Sequence, residues 1–203
     1  MRVADSLRRF VDVVVACVGL VVLAPLIVGL GIAVQVSVGG PVLYRQGRLG
    51  GGGHPFELLK FRSMRHPEPG REHPMYDAER ITALGRWLRA TSLDELPSLW
   101  NLLRGDVALV GPRPLPVHYW DRFRNDEYER FTVRPGITGR AQIEGRNLLS
   151  WNERLAVDVD YVRTRSLVGD VRILFDTVPA VLGGSGVDAD EGVTMTELPA
   201  DRP

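Results

Sequence analysis

Hydrophobic positions dominate the start of the chain and then give way to a longer mixed region. From Val13 to Val34 no residue carries a formal charge, and a straight helix of that length reaches across a hydrocarbon core of about 30 Å. Pro25 lies near the middle of this run, where it removes a backbone donor and clashes with the preceding turn. The pattern therefore predicts a membrane-associated helix that is broken near Pro25.

Basic residues at both ends of the apolar run bear on its topology. Arg8 and Arg9 precede the run, and Arg45 and Arg48 follow it. The basic start also resembles a signal peptide, but the run is longer than the apolar region of such peptides and no small-residue cleavage site closes it. A straight spanning helix fits the length, yet it would export one basic end, and Arg and Lys are enriched on cytoplasmic flanks. We therefore expect residues 1–40 to form a re-entrant anchor with both ends in the cytoplasm.

Two short strands are predicted after the Gly39-Gly40-Pro41 turn. The first covers 41–46, a glycine-rich loop follows over 47–53, and the second strand covers 56–64. Because side chains alternate along a strand, one face of the second strand carries Phe56, Leu58, Lys60 and Arg62.

Helical spacing of apolar positions predominates in the rest of the chain. It predicts helices over 81–90, 93–103, 117–131, 151–163 and 170–182. Short strands are predicted at 107–110 and 141–143, and prolines predict a stiff turn at 111–116 and a rigid loop at 134–139.

These elements together predict an α+β fold. A small mixed domain of helices and short strands covers 41–183 and is joined to the membrane anchor at 1–40. The helix over 170–182 has an apolar side and is expected to lie at the membrane interface beside the anchor. Residues 184–203 are rich in Gly and acidic side chains and are predicted to form a disordered tail.

Composition excludes several classes of function. The formal net charge is zero, so no global basic field indicates binding to nucleic acid. The single cysteine, Cys17, lies in the apolar run, and the four histidines are scattered. No disulfide framework and no Cys/His metal cluster is therefore expected.

The adjacent carboxylates Asp94 and Glu95 are the first candidates for chemistry, and two interpretations of them remain open. In the structural one, Ser92 caps a helix and Glu95 reaches back to complete a capping box. In the functional one, the helix N-terminus keeps Asp94 ionised so that it can attack phosphorus. Repulsion between two unit charges about 4 Å apart is roughly 4 kcal/mol near a protein surface, so this function needs neighbouring cations and Mg²⁺.

Candidate cations lie on several of the predicted elements. Arg113 is fixed between Pro112 and Pro114 and suits a planar phosphate clamp. The alternative interpretation is that Arg113 is a surface arginine on a turn without a role in binding. Phosphate-binding candidates on other elements are Lys60, Arg62 and Arg89. For Lys60 and Arg62, each taken alone, the alternative is a solvated strand face. The nucleotide-binding candidates lie in and after the Pro-Gly loop and are Arg134, Gln142, Arg146 and Asn147. The alternative is that these side chains only cover the surface of that loop.

Four motifs occur in an order that resembles one protein family, the bacterial sugar transferases. They are Phe56-Glu-Leu-Leu-Lys-Phe-Arg-Ser-Met64, Asp94-Glu-Leu-Pro-Ser-Leu-Trp-Asn-Leu-Leu-Arg-Gly-Asp106, Leu109-Val-Gly-Pro-Arg-Pro114 and Arg134-Pro-Gly-Ile-Thr-Gly139. The chain is similar to the small monotopic phosphoglycosyl transferases of this family from about Arg8 to about Leu182. Departures from the family pattern include Arg140, where Trp is frequent, and Glu144, where Asn is frequent.

The resemblance implies a reaction and a role for each motif. Asp94 would attack the β-phosphate of a UDP-sugar, release UMP and carry a covalent phosphosugar, which polyprenyl (undecaprenyl) phosphate would then accept. Glu95 would handle protons or position the acceptor, Mg²⁺ would bind at Asp94, and Arg113 would contact phosphate. Lys60, Arg62 and Arg89 match basic positions of the family around that site.

The resemblance also implies a location, and it leaves competing functions to test. The enzyme is expected at the bacterial inner membrane, with its catalytic domain facing the cytoplasm and its anchor in the lipid bilayer, to start exopolysaccharide, O-antigen or glycoconjugate assembly. The alternatives are a non-catalytic membrane-anchored binding protein and a nucleotide-sugar hydrolase. No residue favours one sugar over another, and the sequence indicates no oligomeric state.

Overall fold

The computed structural model describes residues 3–67, 69, 70, 73, 76–144, 149–182 and 197–202. The helices are α1 (Val3–Val22), α2 (Ala24–Ser37), α3 (Asp77–Arg80), α4 (Ala83–Ala90), α5 (Leu99–Arg104), α6 (Arg140–Glu144), α7 (Trp151–Thr164) and α8 (Leu167–Leu182). The strands are β1 (Leu43–Leu49), β2 (Pro55–Phe61), β3 (Ala108–Val110) and β4 (Gly136–Thr138). Short 3₁₀ helices cover Gly51–Gly53, Leu93–Ser98, Val117–Arg122 and Asn125–Thr132. The fold is α+β, as predicted.

The apolar N-terminal segment forms a bent pair of helices. The axes of α1 and α2 differ by 64° across the break between Val22 and Ala24, and Pro25 occupies the first turn of α2, where its missing N–H breaks no helical hydrogen bond. In the part of the chain that the structure describes, neither helix alone has the length and apolar composition to cross a membrane, whereas the bent pair together does. The predicted break near Pro25 is confirmed.

Polar side chains in the first half of α1 attach this helix to the domain. The Arg9 guanidinium donates to the carbonyl oxygens of Leu102 and Leu103, both at 2.6 Å. These carbonyls lie in the last turn of α5, where the Leu102 carbonyl also accepts from the Gly105 N–H at 3.2 Å, and the C-terminal end of a helix favours a cation. Asp12 accepts a hydrogen bond from the backbone N–H of Leu109 at 3.0 Å. The start of the anchor is therefore fixed to the domain by directional contacts.

The strands of the described residues form two separate two-stranded sheets. β1 and β2 form an antiparallel hairpin in which Leu43 lies opposite Phe61. β3 and β4 are parallel, with Ala108 opposite Gly136. The second pair joins the strand before the Pro-Arg-Pro turn to the Pro-Gly loop, so that two of the sequence motifs lie side by side.

Among the described residues, three hydrophobic clusters hold the elements together. One joins α1 to β2 and α5, and another joins α2 to β2 and α4. The largest joins the end of β1 to the Val117–Arg122 and Asn125–Thr132 segments and to α7. Its buried members are Leu49, Leu115, Tyr119, Phe123, Phe131, Leu155 and Leu198.

Several predicted elements take another form. Residues 117–131 form two 3₁₀ helices, because Phe123 has an extended backbone between them. Residues 141–143 lie in α6 and not in a strand, since so short an apolar run does not distinguish the two. The 93–103 helix is divided into a 3₁₀ and an α-helical part. The helices predicted over 81–90, 151–163 and 170–182 are confirmed as α4, α7 and α8.

The C-terminal segment differs from the expected disordered tail where the structure describes it. Leu198 is fully buried and Arg202 is only 6% exposed, so residues 197–202 pack against the domain. Residues 183–196 and 203 lie outside the described part of the chain.

Candidate active site

A cavity of about 1060 Å³ opens beside the β1–β2 hairpin. Its other walls come from the Leu93–Ser98 3₁₀ helix, the Pro-Arg-Pro turn, α6 and α7. Nine Arg or Lys and five Asp or Glu side chains are among the described residues that line it. In a chain whose formal net charge is zero, this excess of cations suits a polyanionic ligand. The cavity brings together seven residues that the sequence predicted for the site: Lys60, Arg62, Arg89, Asp94, Glu95, Arg113 and Gln142.

Asp94 lies at the start of a 3₁₀ helix and is 9% exposed. The predicted capping box is absent, because Ser92 has a left-handed backbone (φ 57°) and its side chain caps no backbone N–H. The Asp94 side chain forms no hydrogen bond or ion pair with any residue that the structure describes. A buried carboxylate without a partner in a cation-rich cavity is available for chemistry, so the structure favours the functional interpretation.

Burial raises the pKa of Asp94, whereas the sequence predicted that the helix N-terminus would lower it. Loss of solvent raises the Asp94 pKa above its usual range, and neighbouring Glu95 adds to this, while Lys60, Arg89 and Arg113 oppose it. The sequence predicted a lowered pKa from the helix N-terminus. That prediction was wrong, because a six-residue 3₁₀ helix carries few aligned peptide dipoles and burial has the larger effect.

Glu95 is paired with two cations. Lys60 Nζ donates to Glu95 Oε1 at 2.6 Å, and an Arg113 guanidinium nitrogen lies 3.4 Å from the same oxygen. Although burial alone would raise the Glu95 pKa, these two cations lower it to about 2. Glu95 therefore stays ionised and holds Lys60 and Arg113, which come from distant segments, next to Asp94.

Arg89 and Arg62 lie on the hairpin side of the cavity. Arg89 Nε donates to Ser63 Oγ at 2.9 Å, which positions the guanidinium at the end of α4, and its charge acts on Asp94. Arg62 follows β2 directly and contacts His66. Both residues are placed to meet an anion in the cavity.

The nucleotide-binding candidates are separated by the fold. Gln142 lines the cavity and donates to the Ile137 carbonyl at 3.1 Å. Arg134 is not part of the lining; its guanidinium lies 3.5 Å from Asp12 on α1, where it helps to attach the anchor. Arg146 and Asn147 lie outside the described residues.

Comparison with known proteins agrees with the motifs in the cavity. A sequence model described as bacterial sugar transferase matches residues 3–184. The chain belongs to the bacterial sugar transferase family.

Three relatives illustrate the range of the family. A protein of Caulobacter vibrioides named UDP-glucose:undecaprenyl-phosphate glucose-1-phosphate transferase is 43% identical over 192 residues, which cover 89% of this chain and 72% of that one. An uncharacterized sugar transferase, EpsL, of Bacillus subtilis is 40% identical over 193 residues, 93% of each chain. The undecaprenyl-phosphate galactose phosphotransferase of Salmonella typhimurium is 36% identical, with 91% of this chain covering 42% of that protein. The resemblance stated from the motifs is confirmed, and the chain is an enzyme of the sugar transferase type.

Two arginines of this sugar transferase were missed by the sequence reasoning. Burial, followed by the nearby charge of Arg113, lowers the Arg48 pKa to about 10, and the same two causes lower the Arg154 pKa. Partly desolvated, mutually repelling cations around Arg113 are a favourable place for phosphate. Arg48 lines the cavity together with Tyr44 and Gln46. These three residues are two positions apart and so share one face of a strand. The sequence would have identified Arg48 as a site residue if the first strand had been predicted to continue beyond residue 46.

A buried ion pair supports the turn that carries Arg113. One Arg130 nitrogen donates to Asp158 and to the Arg113 carbonyl, each at 2.8 Å. The Arg130 and Asp158 side chains are 2% and 4% exposed. A buried charge without its partner is costly, so Arg130 and Asp158 stay together. Because Arg130 also donates to the Arg113 carbonyl, the pair holds the backbone of the Pro-Arg-Pro turn in place.

The departures from the family pattern contact each other on α6. Arg140 Nε donates to Glu144 at 2.6 Å, one helical turn along, and Arg140 also pairs with Asp160 of α7. The pair lies on the surface, so it stabilises the α6–α7 contact only modestly. Neither residue lines the cavity.

The donor set around Asp94 fits Mg²⁺ bound together with a substrate. Among the described residues, no group of three or more His, Cys, Asp or Glu side chains is arranged as a metal site. Mg²⁺ is commonly held by one or two carboxylates and by the phosphates of a substrate, with water completing the octahedron. Asp94, which has no hydrogen-bond or ion-pair partner among the described residues, would supply such a carboxylate beside a cavity suited to phosphate.

Proposed function

We propose that this sugar transferase moves a sugar 1-phosphate from a UDP-sugar to polyprenyl (undecaprenyl) phosphate, with release of UMP, and so starts the assembly of an exopolysaccharide or related glycan. The observation that carries the proposal is the buried Asp94, which no described residue pairs with, among cations in a cavity large enough for a nucleotide sugar. The names of the relatives from Caulobacter and Salmonella support the donor and acceptor classes.

The reaction proceeds in two displacements at the same phosphorus atom. An Asp94 carboxylate oxygen forms a bond to the β-phosphorus, and the bond from that phosphorus to the bridging oxygen breaks, so UMP leaves with the electron pair. An oxygen of polyprenyl phosphate then attacks the aspartyl phosphosugar, and the acyl phosphate bond breaks. The product is a polyprenyl diphosphate sugar, and Asp94 is regenerated.

The cations around Asp94 have distinct tasks in these displacements. Lys60 and Arg113, held by Glu95, face the negative charge that develops on the transferred phosphoryl group. Arg89 opposes the effect of burial on Asp94 and keeps more of it ionised. Mg²⁺ held at Asp94 would offset the repulsion between the carboxylate and the diphosphate.

The bent α1–α2 pair serves, in this proposal, as a re-entrant anchor in the cytoplasmic membrane. Both of its ends lie at the domain: Arg9 contacts α5, and β1 begins at Leu43, shortly after α2 ends. The catalytic domain therefore faces the cytoplasm, where nucleotide sugars are found.

Exposed apolar side chains support the proposed contact with a lipid surface. The helices α1 and α2 expose large apolar residues along their length, among them Phe10, Val21 and Ile32. A single stripe along α8, with spacings of three and four residues, is also exposed: Val168, Val171, Phe175 and Val178. Apolar surface of this extent on α1, α2 and α8 is typical of a membrane-contacting face.

Asp94→Asn tests the proposed nucleophile. The amide cannot attack phosphorus, so we expect UMP release to fall to background across a panel of UDP-sugars. Intact mass after incubation with donor alone should show a sugar-phosphate adduct on the wild-type chain and none on the variant. Asp121→Asn, an exposed carboxylate outside the cavity, is the matched control and should behave as wild type.

The same assay separates the proposal from its competitors. A transferase needs polyprenyl phosphate for repeated turnover, a hydrolase releases UMP continuously without it, and a binding protein releases none. Normal turnover by Asp94→Asn would refute the covalent mechanism, and full activity in excess EDTA would remove Mg²⁺ from it.

A further inference from the structure

The last described residues of the chain return to the domain and are held there at both ends. Leu198 is fully buried in the largest hydrophobic cluster. The two terminal nitrogens of Arg202 donate to the two carboxylate oxygens of Glu127 at 2.8 and 2.7 Å. We call residues 197–202 the C-terminal strap. It lies beyond residue 184, where the match to the family ends.

Further hydrogen bonds fix the strap to a wall of the cavity. Arg122 donates to the Leu198 carbonyl at 2.6 Å and to Glu197 Oε2 at 3.2 Å. Arg122 ends the 3₁₀ helix that contributes His118 and Tyr119 to the cavity lining. The burial of Leu198 and the hydrogen bonds of Arg122 and Arg202 therefore give the strap a defined position relative to the site.

Glu197 of the strap lines the same cavity as Asp94. Arg122 contacts Oε2 only, and Oε1 forms no hydrogen bond with any residue that the structure describes. Like Glu197 with Arg122, three other carboxylates of the lining are ion-paired: Asp77 with Arg80, Glu95 with Lys60, and Asp158 with Arg130. The Glu197 side chain is 70% exposed, whereas those three are at most 26% exposed. Glu197 thus offers Oε1 to the cavity as an acceptor, while the contact of Oε2 with Arg122 orients the carboxylate.

We propose that Glu197 binds the donor by accepting hydrogen bonds from its vicinal hydroxyl groups. This inference rests on the proposed function, which supplies a donor with two such groups, the ribose and the transferred sugar. A carboxylate repels phosphate, so the diphosphate lies toward Lys60 and Arg113, and Glu197 meets an uncharged, hydroxyl-bearing part. Hydrogen bonds from hydroxyls to a carboxylate are stronger than those to neutral acceptors, and acidic residues recognise ribose in this way elsewhere.

Glu197→Gln tests the role at nearly constant size. The amide retains an acceptor but loses the charge, and we expect the KM for the UDP-sugar to rise about five- to tenfold with kcat within about twofold of wild type. Asp201→Asn is the matched control, because Asp201 is an exposed carboxylate on the same strap outside the cavity. It should leave both constants unchanged, and thermal unfolding should show that both variants are folded.

UMP and its 2′-deoxy analogue distinguish the two sources of hydroxyl groups. If Glu197 binds the ribose, UMP raises the Tm of wild type more than deoxy-UMP does, and Glu197→Gln removes that difference. If it binds the sugar, the UMP effect is the same in both proteins, and the KM effect differs between UDP-glucose and UDP-galactose. An unchanged KM for every donor together with an unchanged UMP effect would overturn the inference. A wild-type enzyme that releases no UMP refutes the proposed function instead, while the UMP binding comparison still tests the ribose contact.

Discussion

Adjacent carboxylates at positions 94 and 95 meet opposite electrostatic surroundings. Burial dominates at Asp94 and raises its pKa, whereas Lys60 and Arg113 outweigh burial at Glu95 and lower its pKa to about 2. Two carboxyl groups whose pKa values are driven apart commonly have different tasks. In the proposed reaction, Glu95 would hold the cations as a permanently charged group, and the ionisation of Asp94 would limit the rate.

The acid limb of the pH profile should report Asp94. Only the ionised carboxylate attacks phosphorus, so kcat/KM falls as the pH decreases through the raised pKa, which lies above the ordinary value of 3.8. Glu95, with a pKa of about 2, does not titrate in that range. The profile of kcat/KM describes the free enzyme, and one proton should account for its acid limb.

Arg89→Gln should move that limb to higher pH. Arg89 lowers the Asp94 pKa by its charge, so its removal lets burial raise the Asp94 pKa further. Arg86→Gln is the matched control, because Arg86 lies on the same helix, is exposed and does not line the cavity. A limb at the wild-type pH in Arg89→Gln would show that Arg89 does not act on the nucleophile.

Arg113→Lys separates charge from shape at the phosphate clamp. Lysine keeps the charge but loses the planar pair of donors, so we expect at least a tenfold fall in kcat/KM, about 1.4 kcal/mol of transition-state stabilisation. Arg104→Lys, at an exposed position outside the cavity, controls for the substitution itself. Unchanged kinetics in Arg113→Lys would leave Arg113 with the purely structural task of pairing with Glu95.

At the scale of elements, the β3–β4 pair determines where the Pro-Arg-Pro turn lies. The N–H of Gly111 donates to the Thr138 carbonyl at 2.9 Å, and that of Gly136 to the Pro112 carbonyl at 2.9 Å. A Cβ at Gly136 would lie 2.1 Å from the Gly111 nitrogen and 2.3 Å from the Thr138 carbonyl oxygen. Both contacts are with backbone, which cannot move aside without separating the strands, so the turn depends on glycine here.

Gly136→Ala should therefore destabilise the domain and displace Arg113. We expect the Tm to fall on the order of 5 °C, from overpacking of roughly 2 kcal/mol, together with loss of UMP release. Gly29→Ala is the control, because a Cβ at Gly29 meets no atom within 4 Å and alanine favours the helix. A Gly136→Ala protein with wild-type Tm and activity would contradict the tight approach of the two motifs.

Three helices and one short strand could be predicted from the sequence, the strand at 107–110 being β3, whereas the helix predicted over 117–131 and the strand predicted over 141–143 were wrong. α4, α7 and α8 follow their apolar spacing within three residues. Residues 141–143 carry too few apolar positions to distinguish helix from strand. β1 extends through Gly47 to Leu49, since its pairing with β2 outweighs the low strand propensity of glycine, and this hid Arg48 from the sequence reasoning.

At the scale of the whole molecule, the site is assembled from segments far apart in sequence. Lys60, Asp94 and Arg113 were predictable one at a time because each lies in a motif that resembles the family. Glu197 and the Arg130–Asp158 pair were not, since nothing local in the sequence indicates which distant segments meet. Arg134 was misplaced for the same reason: its partner, Asp12, belongs to a helix that was expected to lie in the membrane.

Contacts between the anchor and the domain also bear on topology. Arg8 pairs with Asp170 of α8 at 2.6 Å, and Asp5 pairs with Arg165 at 2.7 Å. The sequence reasoning treated Arg8 and Arg9 as markers of the cytoplasmic flank, whereas the structure makes them contact residues of the domain. If the domain is cytoplasmic, a straight spanning helix would separate these partners across the bilayer, and the buried polar groups would lose their hydrogen bonds.

The last prediction is that the chain enters and leaves the membrane on the cytoplasmic face. With Cys17, the single cysteine, replaced by Ser, a cysteine introduced by Arg2→Cys should resist a membrane-impermeant thiol reagent in intact cells and react after permeabilisation. Asp201→Cys, on the strap of the domain, is the matched control and should show the same pattern, because both positions lie on one side. Labelling of position 2 but not of position 201 in intact cells would place the N-terminus outside and rule out the re-entrant anchor. Labelling of both would place the domain outside as well, away from its nucleotide-sugar donor.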